Sequence, residues 1–239
     1  MSTALHQRKR ESYKIFDEIA GTYDFLNRLL SFGIDRHWRK KFLAQLPQKR
    51  NMDALDLACG TGDVPLVLAE SKQFSKIQGM DLSKEMVGLG QQKVLKLGLE
   101  NLIRLGIGDG CHIASEDNSY DVVTISFGIR NFSDPQKSLK DIYRVLRPGG
   151  VLLIMEFGLP KFFVMRWLYL LYFKFILPLI GNIISGHKDA YSYLNQTVED
   201  FPYGEDFTNL MSAAKFENLK ATPLSNGIAY LYRGEKLND

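Results

Sequence analysis

Three turns rich in acid or glycine recur along this chain, each at the end of a short apolar run. The first is Asp56-Leu57-Ala58-Cys59-Gly60-Thr61-Gly62-Asp63, which follows the run Ala54–Ala58 and opens onto a helical pattern over Val64–Glu70. Gly60 and Gly62 let the backbone turn sharply and approach a ligand closely. The helix start behind them presents free N–H groups. No third glycine stands at dinucleotide spacing, and Asp63 would repel a pyrophosphate. Acids at both ends of the turn, Asp56 and Asp63, suit a ligand with positive groups. Asp81 ends the second run, about twenty residues on, where a carboxylate can accept from both ribose hydroxyls. Asp109-Gly110 ends the third run, where a carboxylate can meet the exocyclic amine of an adenine, and Ser126 ends the fourth.

These groups need elements that bring them to one edge. Short runs at Ala54–Ala58, Lys76–Met80, Ile103–Ile107, Asp121–Phe127 and Val151–Phe157 read as buried strands. Helical spacing lies between them, with Ser83 as an N-cap before Met86, Leu89, Val94 and Leu97. A helix over 138–146 should stop at Arg147-Pro148-Gly149-Gly150. Strands alternating with helices call for a doubly wound, mostly parallel α/β sheet. Its ligand crevice lies at the strands' carboxyl ends. Two further strands, near Leu219–Leu224 and Ile228–Tyr232, flank Ser225-Asn226-Gly227 and predict an antiparallel C-terminal hairpin on a seven-stranded sheet. The single domain, 1–239, then carries a helical region over 1–50 outside the sheet and an apolar helical insertion over 161–200.

Composition narrows the classes. With 45% hydrophobic and 24% charged residues the chain is an ordinary globular one. A net charge of +3 is too small for a nucleic-acid binder and is accounted for by Arg8, Lys9 and Arg10. Cys59 and Cys111 are the two cysteines and stand in no metal-binding pattern, so no metal is expected. The start MSTALHQRKRESYK has no apolar h-region, which predicts a cytoplasmic protein. The run Trp167–Ile180 is shorter than the roughly twenty residues of a spanning helix and is interrupted by Lys174 and Pro178. It reads as a buried or surface-seeking helix, with a peripheral contact at the inner face of a membrane as its functional form.

A nucleoside bearing cations fits the three turns, and S-adenosylmethionine, with its ammonium and sulfonium, is the expected cofactor. DLACGTGD, Asp81-Leu82-Ser83 and Gly108-Asp109-Gly110 resemble the motifs of class I methyltransferases. More specifically, the chain resembles the ubiquinone/menaquinone-biosynthesis C-methyltransferases almost end to end. That likeness rests on Phe16–Asp24, Asn27, Leu30-Ser31-Phe32-Gly33, Trp38-Arg39, Ser126–Asn131, Arg147–Gly150, Glu156-Phe157, Tyr191–Leu194 and Phe201-Pro202. Gly110 stands where the family usually has alanine, which reads as a small loss. Lys215 stands where it has glycine.

The resemblance implies methyl transfer to a ring carbon of a prenylated quinol, and cofactor positions at Thr61, Asp81, Asp109, Gly110 and Ser126. Such a carbon becomes nucleophilic when a neighbouring hydroxyl ionises, and a nearby cation favours that ionisation. Arg130 is the candidate cation and Asn131 the candidate for orienting the ring. Tyr23 and Asp24 are candidates for a lid, and Tyr193 for the quinol pocket. None of His6, His37, His112 and His187 stands in a recognisable acid–base pairing, so the general base is not legible; water and His187, beside the apolar insertion, are the candidates. The run 162–180 would accept the polyprenyl tail or touch the bilayer. A nicotinamide oxidoreductase would need a GxGxxG turn and a Tyr/Lys pair, and the sequence has neither. A non-catalytic membrane or assembly protein would have no use for an intact cofactor turn. Demethylmenaquinol is the expected ring, with a 6-methoxy-benzoquinol as the alternative; another small lipid or phenol, such as a sterol or phosphatidylethanolamine, is the further one, against which Phe127–Asn131 and the N-terminal block argue. The oligomeric state is not legible.

Overall fold

The computed structural model describes residues 9, 11–176, 193 and 197–238. His6, His187, Tyr191, Ser192 and Leu194 lie outside the described residues, as does much of the 161–200 insertion.

Seven strands form one sheet: β1 Met52–Leu57, β2 Phe74–Asp81, β3 Ile103–Ile107, β4 Tyr120–Ser126, β5 Leu146–Phe157, β6 Glu217–Leu224 and β7 Ala229–Glu235. Their order is β3-β2-β1-β4-β5-β7-β6. Strands β1 to β5 pair in parallel, and β7 runs antiparallel to both β5 and β6. The expected architecture is therefore the observed one. The order turns back between β1 and β4, which places the crevice at their carboxyl ends.

The central strands are apolar because both faces are covered. In β1, Met52 and Ala54 enter one core layer, while Leu55 and Leu57 enter the other. Val122 and Val123 of β4 divide the same way. Each such side chain, fully buried, contributes roughly 1.5–3 kcal/mol of transfer free energy.

The helices are α1 Ser12–Leu30, α2 Ile34–Lys40, α3 Asp63–Glu70, α4 Lys84–Lys96, α5 Pro135–Val145, α6 Phe163–Leu171 and α7 Glu205–Ala213. Ser83 caps α4 by accepting from the Met86 amide, 3.2 Å away. Asp134 caps α5 in the same manner, with Pro135 in its first turn. Helix α5 ends one residue before the expected stop. Residues 147–150 form an irregularity inside β5, where the β4 register jumps from Leu146 to Val151. The C-terminal connection spans four residues, with Ser225, Asn226 and Gly227 all at positive φ.

Helix α1 lies across the carboxyl ends of the strands. Ile19, Ala20 and Leu26 pack with Met86, Leu159 and Tyr169 in a third apolar cluster. The Ser83 hydroxyl donates to Asp17 at 2.6 Å, which ties α1 to the head of α4. Among the described residues no helix is long and apolar enough to cross a membrane.

Candidate active site

Two cavities meet beneath α1. The first, about 680 Å³, lies over the carboxyl ends of β1, β2, β3 and β4. Its wall includes Gly60, Asp81, Asp109, Gly110, Ser126, Gly128 and Asn131. The second, about 380 Å³, is mostly apolar and lies between α1, α2 and α6, with Arg130, Phe157 and Tyr193 in its wall. Phe16, Tyr23 and Phe127 line both. A group held in one cavity can therefore reach a group held in the other.

The backbone at this junction is strained. Ala58 and Phe127, which follow β1 and β4, hold φ of 51° and 58°. Non-glycine residues avoid that region, and such strain gathers at ligand sites. Gly128 is glycine because a Cβ there would stand 2.4 Å from the Ala58 Cβ. Gly62, at φ 81°, makes the turn into α3.

The structure sorts the predicted cofactor residues. Asp81 faces the larger cavity and accepts from the Gly60 amide (2.8 Å) and the Ser83 amide (2.9 Å). Burial pushes its carboxyl up, and those amides oppose the shift. The Leu82 amide adds a third, weaker contact, and a carboxylate has about four lone-pair sites, so room remains for a ribose hydroxyl. Asp109 accepts from the Cys111 amide at 2.8 Å and also faces the cavity. The Ser126 Oγ and Asn131 Oδ1 are buried without a hydrogen-bond partner among the described residues. Buried polar atoms without partners point to a ligand. Two acids, two orphaned polar atoms and a glycine turn fit a cationic nucleoside. Asn131 thus stands with the cofactor cavity and not in the apolar one. Gly110 is no small loss, since a Cβ there would meet the Phe132 ring at 2.4 Å.

Asp56, Thr61 and Gly62 do not line either cavity. Asp56 pairs in register with Thr124 and accepts from its hydroxyl at 2.5 Å inside the sheet. Burial pushes its carboxyl up to about 8, so it is mostly neutral at pH 7. Asp63 does not face a ligand cation either. Burial raises its pKa, but Arg39, Lys93 and Arg28 overcome this and hold it at about 2. Thr61 turns toward α1, donating to Asp24 at 2.7 Å and accepting from Lys93 Nζ at 2.9 Å. Lys93 also pairs with Asp24 (2.5 Å) and Asp63 (3.1 Å). Asp24 is thereby a tether of α1 to the glycine turn, at the edge of a small charged cleft. Tyr23, its neighbour, is the residue of that pair that reaches both cavities.

In the apolar cavity Arg130 is buried and paired with Glu156, Nη1 to Oε1 at 2.9 Å. Nη1 also donates to the Phe127 carbonyl, and the guanidinium lies 5.3 Å from the centre of the Phe157 ring. Its Nε has no partner among the described residues. Glu156, 1% exposed, further accepts from the Arg130 amide at 3.3 Å and the Phe157 amide at 2.9 Å. Sequence reasoning left Glu156 and Arg39 without roles. Arg39 also lines the cavity, lies 5.9 Å from the Phe127 ring centre and pairs with Asp35. Neither cavity is lined by a histidine among the described residues. His37 and His112 are exposed, and no group of metal-binding side chains occurs among the described residues.

Comparison with known proteins agrees with this geometry. The profile of the ubiE/COQ5 methyltransferase family matches residues 3–236. A protein of Geotalea daltonii named ubiquinone/menaquinone biosynthesis C-methyltransferase UbiE is 42% identical over 97% of this chain and 99% of its own. A demethylmenaquinone methyltransferase of Bacteroides fragilis is 38% identical over 96% and 94%. One of Thermus thermophilus is 40% identical over 93% and 100%. Among solved structures, a SAM-dependent methyltransferase from Thermotoga maritima superposes with a TM-score of 0.66 at 20% identity, covering 94% of this chain and 99% of that one. The [4+2]-cyclase SpnF gives 0.67 at 16% identity, covering 94% and 95%. Such likeness shows the fold alone, since that fold hosts more than one chemistry. The family match and the near full-length relatives go further: the chain is an S-adenosylmethionine-dependent methyltransferase and belongs to the ubiE/COQ5 methyltransferase family.

Proposed function

We propose that this enzyme methylates a ring carbon of a prenylated quinol, with demethylmenaquinol as its substrate. The observation that carries this reading is the apolar cavity joined to the cofactor cavity at Phe16, Tyr23 and Phe127 and lined by Arg130, whose Nη2 N–H is left over when Nη1 pairs with Phe127 and Glu156. A quinol ring fits an apolar, aromatic-lined space, and one of its oxygens can accept from that N–H. Relatives named for demethylmenaquinone support the naphthoquinol over the benzoquinol.

S-adenosylmethionine, when bound, supplies a methyl group already activated by a sulfonium. Asp81 would hold its ribose and Asp109 its adenine, with Ser126 and Asn131 completing the polar wall. The chain's further work is to place the ring carbon in line with that methyl and to keep water out. Helix α1 covers both cavities, and its tether through Asp24, Thr61 and Lys93 holds the cover in place. Arg130 stabilises the phenolate that forms next to the reacting carbon. Tyr23 and Tyr193 pack against the ring. The hydroxyl proton and then the proton of the methylated ring carbon leave to bulk solvent, and the product oxygen regains one of them as the ring becomes aromatic again, so that one proton is released overall.

The test is transfer of labelled methyl from S-adenosylmethionine to reduced demethylmenaquinol and, separately, to a 6-methoxy-benzoquinol. Label in the naphthoquinone alone is the expected result. Label in the benzoquinone alone reassigns the ring. Label in neither, with cofactor binding intact, overturns the quinol reading.

A further inference from the structure

The surface around the mouth of the apolar cavity is itself apolar. On α6, Phe163 is 82% exposed and Trp167 54%, with Phe162 and Val164 also exposed. Across the mouth, the end of α1 and the loop after it expose Phe25, Leu29 and Phe32. The two groups are joined, because the Tyr172 hydroxyl donates to the Leu30 carbonyl at 2.8 Å. Phe32, Ile34, Met165 and Leu168 belong both to the cavity wall and to the exposed surface. The cavity thus opens through this patch.

The segment that carries the patch on α6 is basic, and the exposed acids Glu18, Glu199 and Asp200 lie on other segments. Residues 161–176 carry Lys161, Arg166 and Lys174, all exposed, and no acid. Arg36 and His37 on α2 add exposed basic groups, while Asp35 between them and α1 is buried and paired with Arg28 and Arg39. Contiguous exposed apolar surface on a folded chain marks an interaction site. Aromatic residues mixed with lysine and arginine suit a helix lying in the headgroup region, its basic groups on lipid phosphates. Helix α6 and the π-helical turn Tyr172–Ile176 that continues it are, over the described residues, shorter than the roughly twenty residues of a spanning helix and long enough to lie in that region.

We propose that this face docks on the surface of an anionic lipid bilayer. The mouth of the cavity then sits at the membrane, and a prenylated quinol passes its ring inward while its tail stays among the acyl chains. The proposal rests on the quinol reading above for its purpose.

The chain carries its own probe. Of its two tryptophans, Trp38 is 6% exposed and donates to Ser225 Oγ, whereas Trp167 faces outward. Vesicles of equimolar phosphatidylglycerol and phosphatidylcholine should shift the emission to shorter wavelength and sediment the protein. Phosphatidylcholine alone should do so at least tenfold more weakly. The triple variant Lys161→Gln, Arg166→Gln, Lys174→Gln should bind the anionic vesicles about a hundredfold more weakly, at about fivefold per charge. The double variant Phe163→Ser, Trp167→Ser should no longer sediment, yet should turn over a short-tailed reduced quinol in solution as the parent does. Neither side chain lines the cavity.

Absence of sedimentation with either vesicle overturns the proposal, as does equal binding to both. Self-association in sedimentation velocity that the double variant abolishes would assign the face to a second copy and also overturn it. Failure of the quinol reading is separate, since it appears as absent methyl transfer to the short-tailed quinol in solution.

Discussion

Asp81 tests the cofactor site most directly. Its carboxylate holds the glycine turn through Gly60 and the head of α4 through Ser83, and it faces the larger cavity. Hydrogen bonds to a charged acceptor contribute roughly 1.5–3 kcal/mol. Counting one such bond to ribose, Asp81→Ala should weaken S-adenosylmethionine binding about 10- to 150-fold. Asp81→Asn should fare little better, because one of the two backbone donors would then face an amide N–H₂. Isothermal titration with S-adenosylmethionine and S-adenosylhomocysteine measures the loss, and thermal melting without ligand reports the fold. Burial raises the pKa of Asp81. Protonation therefore sets in at a higher pH than for a free carboxyl, and wild-type affinity should fall on acidification while that of Asp81→Asn should not. Affinity within twofold of wild type, at an unchanged melting temperature, would leave Asp81 a turn-holding residue and refute the ribose assignment.

Three further expectations follow from buried charge and backbone geometry. Arg130→Ala should destabilise the fold by about 3–5 kcal/mol, because it leaves Glu156 buried without its partner; adding Glu156→Gln should restore much of that in urea unfolding but not the turnover. Asp56 has its carboxyl raised to about 8, so between pH 4 and 8 the folded state holds a proton that the unfolded state has lost, and stability falls as pH rises. Asp56→Asn should flatten that slope in a series of melting curves, and an unchanged slope would place the titration elsewhere. Lys215 sits at φ 73° just past the end of α7 with its side chain exposed, a place suited to glycine. Lys215→Gly should stabilise the protein by about 0.5–1 kcal/mol, relief of the left-handed strain outweighing the added chain entropy; a loss of stability would show that the lysine makes a compensating contact.

The strands were legible because parallel strands covered on both faces read as short apolar runs ending in glycine or acid. The acids at the carboxyl ends of β2 and β3 were legible as crevice residues because Asp81 closes its strand and Asp109 lies just past its own, and both line the larger cavity. Asp56 misled because it lies within the strand. The alternation that sends Leu55 and Leu57 to one core layer turns Asp56 to the other face, beside Thr124, and not toward the strand end. That signal was available in the residues themselves. The pairing of Arg130 with Glu156 had no such signal, since it joins the segment after β4 to the end of β5 across the sheet. Nothing in the sequence sets Lys93 apart from the other lysines of α4. Its role depends on how α1 crosses the sheet, which no periodicity in either helix fixes.

The two cavities differ in how they treat charge, and the difference suits the two ligands. Asp81 and Asp109 line the cavity proposed for the cofactor, which arrives already cationic. In the apolar cavity each guanidinium is matched by a carboxylate, Arg130 by Glu156 and Arg39 by Asp35. A free cation in that space would demand hydration and would bring water to the methyl group. With the charges cancelled, a neutral quinol enters without stripping water from an ion. On the proposed reading Arg130 then offers the N–H of Nη2, which its pairing leaves over, and the value of that donor would grow as the quinol oxygen becomes anionic. An interaction that strengthens only as the phenolate forms acts on the rate more than on substrate binding. The buried pair thus lets an apolar cavity hold a guanidinium at all, and on the proposed reading it still leaves that guanidinium a donor for the quinol oxygen.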